Sequence, residues 1–159
     1  MIKVEKSIEV ERPAEDVFAF VCDHTNSPRW QRGLLEVRRT SDGPIGVGTR
    51  HSVVRTFMGR RLEATNEFTE YEPDKLIAFK ANSDSMTGQV WRTVEPVGRD
   101  RARVTVRMEL RLTGVLGLVE RPAAAGLKRE VEADLVALKE LLETEAAAAR
   151  RGKFGATSG

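Results

Sequence analysis

An α+β fold, a curved antiparallel sheet of about seven strands wrapped around one long C-terminal helix, is what three features of this sequence predict. Apolar and polar residues alternate from Ile2 to Val10, broken only by Lys6, and again from Arg103 to Leu112, the period of a half-buried strand. Turn-forming residues recur about every ten positions between Ser41 and Asp100, the spacing of a meander. Leu127, Val131, Leu135, Leu138 and Leu142 then follow at intervals of three and four, one stripe along a helix.

Each element has a local cause. After the first strand, Pro13 stands at a helix start, Glu15 and Asp16 complement the positive end of the helix dipole, and Ala14, Val17, Phe18 and Val21 share a face. Ser27 as N-cap, Pro28 and Gly33 predict a second short helix directly behind the first. Beyond Leu34, the runs Ser41-Asp42-Gly43-Pro44, Gly46 to Gly48, Gly59, Pro73-Asp74, Ser83-Asp84-Ser85 and Pro96 to Asp100 break the chain into strands. The first strand, cut off by helices, must pair at an edge, most simply beside the last strand. After Gly114 the helical period returns, with an interruption expected near Pro122. Residues 1–145 form one expected domain, and residues 146–159, small and charged, are expected to fray.

Composition narrows the function classes. With 26 basic and 24 acidic residues the net charge is +2, so no global field points to nucleic acid. The arginines Arg101, Arg103, Arg107 and Arg111 face glutamates expected on the neighbouring strand, Glu5, Glu9 and Glu11, and cross-strand pairing explains them without a phosphate partner. No apolar run reaches the roughly 18 residues of a membrane span, and the N-terminus is not a signal peptide, so the expected compartment is the cytoplasm. The single cysteine, Cys22, reads as a buried thiol. The zinc-protease, paired-cysteine and phosphate-loop motifs are missing, and Gly43 to Gly48 has the wrong spacing for a dinucleotide fingerprint. Two histidines, His24 and His51, are too few for a zinc site with three or four good ligands, so neither a metal nor a cofactor is expected.

The element order, with Ser7 to Val10, Pro13 to Phe18, Asp23, Pro28-Arg29-Trp30, Val47 to Arg50, Thr69 to Pro73, Arg103 to Thr105 and Leu135 to Glu143, resembles the SRPBCC superfamily. This is the START-like or helix-grip fold of pollen-allergen homologues, polyketide cyclases and lipid carriers, and the resemblance covers roughly residues 2–145. It implies a cavity between the concave sheet face and the long helix that takes apolar or amphipathic small molecules. It carries over no shared catalytic motif.

Several residues could carry chemistry there. His51 on a strand could transfer a proton if it points inward, whereas His24 reads as a surface residue after the first helix. Trp30 is either a ligand wall or a plug of the core. Asn66 shares a face with Leu62, Ala64 and Phe68, so a buried amide must find backbone, water or ligand partners. Arg92 alternates with Val90 and Val94, and facing inward it would favour an acidic ligand such as a fatty acid. Trp30, Phe68, Met108, Leu127, Val131 and Leu135 are the expected apolar walls. The favoured reading is a carrier of a small hydrophobic molecule. A cyclase- or dehydratase-like enzyme using His51, Asn66 or Arg92 is the alternative, a protein-interaction or regulatory module is a third, and a homodimer is left open.

Overall fold

The computed structural model describes residues 1–156, with side chains through residue 151. Strand β1 (Ile2–Val10) is followed by helix α1 (Ala14–Val21) and a 3-10 helix (His24–Arg29). Six strands come next: β2 (Leu34–Arg39), β3 (Arg50–Phe57), β4 (Arg60–Glu72), β5 (Leu76–Asn82), β6 (Met86–Gly98) and β7 (Arg101–Leu112). A second 3-10 helix (Gly114–Val119) leads into the long helix α2 (Glu120–Ala156). The strands form one antiparallel sheet in the order β1-β7-β6-β5-β4-β3-β2, so the first strand pairs with the last and the other neighbours are hairpins. This is the helix-grip arrangement.

Alternation decides what each strand buries. On β7, Val104, Val106, Met108, Leu110 and Leu112 are all buried, while the arginines at alternate positions face the convex side, where only the first two meet acids among the described residues. Arg103 pairs with Glu9 at 3.2 Å and Glu95 at 2.9 Å, and Arg101 with Glu11 at 3.6 Å. Arg107 departs from the expected scheme, lying 3.9 Å from the ring centre of Trp91. The β3–β4 hairpin turns through Met58 and Gly59, both at positive φ (52° and 75°), the backbone of a tight two-residue loop.

Helix α2 buries Leu127, Val131, Leu135, Leu138 and Leu142. Full burial of each side chain contributes about 1.5–3 kcal/mol, which makes this stripe the main anchor of the helix. Pro122 does not interrupt it, because it falls in the first turn, where backbone N–H groups have no partner to lose. The helix also passes the expected boundary at 145 and runs to Ala156, since alanine, glutamate and arginine favour helix even without a core to face. Of the expected frayed tail, residues 157–159 lie outside the described residues. Among the described residues, no helix is long and apolar enough to cross a membrane.

Ser27 is not an N-cap. Asp23 caps the first 3-10 helix instead, its Oδ1 accepting from Thr25 N at 3.1 Å, and Ser27 is freed to turn inward. Cys22 is buried, as expected, near the Ala19 carbonyl.

Candidate functional site

The concave face of β3–β7, closed by α2 and the 3-10 segment, leaves a cavity of about 70 Å³ that opens to solvent. Apolar groups dominate the lining: Val53, Phe79, Val90, Met108, Leu127 and Val131. A few polar side chains reach the same space, Asn66 and Arg92 from the sheet, His24 from the 3-10 helix, Asp134 from α2, and Arg55 and Glu130 at the rim.

Arg92 is the decisive residue. Strict alternation along β6 turns it inward between Val90 and Val94, and it is 1% exposed. Its Nη1 donates to Ser27 Oγ at 3.1 Å and to the Val21 carbonyl at 3.2 Å. The guanidinium lies 5.0 Å from the Trp30 ring centre and 5.4 Å from that of Phe79, so two aromatic faces partly replace its water. Its Nε has no hydrogen-bond partner among the described residues. Burial lowers its pKa to about 10, which leaves the group cationic at neutral pH.

A short polar chain holds that cation. Asn66 Nδ2 meets His24 Nε2 at 2.8 Å, so Nε2 accepts and the imidazole proton sits on Nδ1, from which it is donated to Ser27 Oγ at 2.7 Å. Ser27 therefore receives both His24 and Arg92. The 2% exposure of His24 corrects the expectation of a surface residue, because the 3-10 turn folds its ring beneath the sheet, 4.8 Å from the Phe79 ring. Burial, then the nearby Arg92 charge, hold its pKa well below the ordinary histidine value. His24 is thus a neutral link in the chain and not a proton store.

Of the residues anticipated from the sequence, Asn66, Arg92, Met108, Leu127 and Val131 reach the cavity wall. Trp30, Phe68 and Leu135 lie behind the wall, all nearly fully buried, with Trp30 serving as the plug beneath Arg92. His51 also points inward, but it packs edge-on against His24, 5.1 Å away, and against Phe68, and does not line the cavity. Its pKa is lowered to about 4, chiefly by burial and then by Arg39.

Sequence reasoning passed over Asp134. The signal was present: position 134 falls three residues after Val131 and four before Leu138, on the buried face of α2. Asp134 is 6% exposed and, among the described residues, accepts only a long bond, 3.4 Å, from Arg32 N. Burial and then the charge of Glu130 raise its carboxyl to about 6. A folded pKa above the unfolded one means that the ionised form is penalised at neutral pH. Asp134→Asn is therefore expected to stabilise the fold by about 2–3 kcal/mol at pH 7, with the gain gone below the unfolded carboxyl range. Urea unfolding at the two pH values measures it.

Comparison with known proteins agrees with this architecture. A family model described as polyketide cyclase / dehydrase and lipid transport matches residues 1–143. No curated protein matches the chain. Among solved structures, the Zhui aromatase/cyclase from Streptomyces sp. R1128 superposes with a TM-score of 0.75 at 17% identity, covering 92% of this chain and 96% of that one. A protein from Thermus thermophilus gives 0.75 at 20% identity, over 87% and 94%. A START superfamily protein from Mycobacterium smegmatis gives 0.73 at 17%, over 89% and 99%. At these identities the likeness is one of fold.

Proposed function

Because the chain belongs to the polyketide cyclase / dehydrase and lipid transport family, we propose that it binds a small, mainly apolar molecule whose single anionic or strongly hydrogen-bond-accepting head is received by Arg92. The observation that carries this reading is a buried cation that, among the described residues, has no acidic hydrogen-bond partner and an unpartnered Nε, facing an apolar cavity. A charge kept from water in this way is costly unless something compensates it, and an oxygen-bearing head would do so. Met108, Leu127 and Val131 would hold the apolar body, and Asn66 would serve both the His24 chain and the ligand. In this reading one domain over residues 1–145 carries the function, in the cytoplasm, with a small molecule as its partner.

Native mass spectrometry of freshly purified protein, followed by solvent extraction, tests it. One stoichiometric apolar acid or phenol is expected. A clean apo mass together with failure to bind an anionic apolar dye such as anilinonaphthalenesulfonate (ANS) would overturn it.

One observation favours a cyclase- or dehydratase-like enzyme as the second reading. Asp134, raised to about 6, shares the cavity with the Arg92 cation, so a group able to take a proton and a group able to hold a developing oxyanion face the same space. Turnover lost in Asp134→Asn with binding retained would select this reading over simple carriage.

A further inference from the structure

Helix α2 is held differently along its two sides. On the β1 side it is fixed by several ties: Lys6 to Glu132 at 2.6 Å, Lys139 Nζ to the Glu9 carbonyl at 3.2 Å, and Glu143 to the Glu11 N–H at 3.3 Å. Toward the β2–β3 edge, where the cavity opens, the described residues supply three polar ties. Two flank the opening, the long Arg32 N–H to Asp134 contact and, farther along the helix, an Arg29–Glu145 ion pair at 2.5 Å; the third is an ion pair, Arg55 Nη2 to Glu130 Oε1 at 2.6 Å. Both members of that pair line the cavity and both are partly exposed.

The local backbone is built around the pair. Leu34 and Arg55 are partners in the β2–β3 ladder, and the Gly33 carbonyl accepts from Thr56 N at 2.8 Å, which fixes the 31–34 strap to β3. A Cβ on Gly33 would come within 2.2 Å of Glu130 Oε1 and 3.0 Å of Arg55 Nη2. Glycine at this point is what lets the two charged heads meet over the strap. Its φ is not in the left-handed region, so the requirement is space and not backbone conformation.

We infer that the Arg55–Glu130 pair is a latch across the mouth of the cavity, and that ligand enters and leaves between the 31–34 strap, the end of β3 and α2 when the latch opens. A partly exposed ion pair suits this task because water can reach and replace it at modest cost, whereas an apolar seal would expose greasy surface at each opening. The β1 side then acts as the hinge. The inference rests on the binding reading above.

ANS is the probe, in two measurements that separate the latch from that reading. Equilibrium titration of wild-type protein tests binding itself, and without binding the reading falls and takes the latch with it. Stopped-flow association and displacement then test the latch. Glu130→Gln removes the charge attraction and Gly33→Ala leaves both charges but wedges them apart, so two unrelated changes should speed association and dissociation alike. About fivefold in each rate is expected, equivalent to about 1 kcal/mol, with the equilibrium constant little moved. Wild-type rates should rise with salt and those of Glu130→Gln should not. The exchanged pair, Arg55→Glu with Glu130→Arg, should restore slow exchange. Rates unchanged in both single variants, or no recovery in the exchanged pair, would overturn the latch.

Discussion

Replacing Arg92 with methionine is expected to abolish recognition of an anionic head, weakening ANS binding about 100-fold, while leaving the protein at least as stable as wild type. The two effects follow from one fact. Burial lowers the guanidinium pKa from its ordinary value to about 10, which corresponds to a penalty of about 3 kcal/mol for keeping the cation inside. Removing it releases that penalty. It also strands the Val21 carbonyl and leaves the Ser27 hydroxyl with His24 alone, at a cost of about 1–2 kcal/mol. Methionine retains much of the packing against Trp30 and Phe79. The balance therefore favours the variant slightly in stability and strongly disfavours it in binding. Thermal unfolding and ANS titration on the same preparation check both halves. A variant that binds as well as wild type would mean that the head group lies elsewhere in the cavity.

The second large effect is acid sensitivity. His24 and His51 are both buried and neutral, and both have pKa values below the ordinary histidine value, His51 at about 4. The unfolded chain takes up these protons near pH 6.5, whereas the native protein refuses them. Stability therefore drops as pH falls below about 6.5, and the His51 share keeps growing until that ring titrates near pH 4. For His51 alone this amounts to about 3 kcal/mol. Asp134 works in the opposite sense over the carboxyl range up to about pH 6, offsetting roughly one histidine. A net loss of stability between pH 7 and pH 4 is expected in urea unfolding, with His24 adding to a His51 share of about 3 kcal/mol. His51→Phe, which removes an unpartnered Nδ1 and fits the aromatic neighbours, should flatten the slope by a comparable amount. An unchanged slope would mean that His51 is charged in the native state.

The sequence was legible where one period governs one surface. Ile2 to Val10, Arg103 to Leu112 and the leucine stripe of α2 announced the strands and helix that hold the cavity, and alternation alone turned Arg92 and Asn66 inward. The partners were less legible because they depend on contacts between distant segments. His24 joins Asn66 across 42 positions, and Arg55 meets Glu130 across 75, distances over which periodicity carries no information. His24 was misread for a second reason. A 3-10 turn of six residues has no stripe to mark its inner face, so a polar residue in it looks like any loop residue. Trp30 and Leu135 were recognised as apolar and interior, but whether such a residue touches a ligand or backs one that does is a matter of a single layer of side chains.

The two tryptophans occupy contrasting settings, and that makes the molecule its own optical reporter. Trp30 is sealed from water and stacked beneath the very guanidinium that would receive a ligand, while Trp91 lies on the convex surface between Arg107 and Glu70, donating to the latter at 3.0 Å. Emission from the first should be blue-shifted and quenched or restored as the charge above it is compensated; emission from the second should ignore the cavity and serve as an internal standard. Filling and emptying can thus be followed without a label, in two colours of intrinsic light.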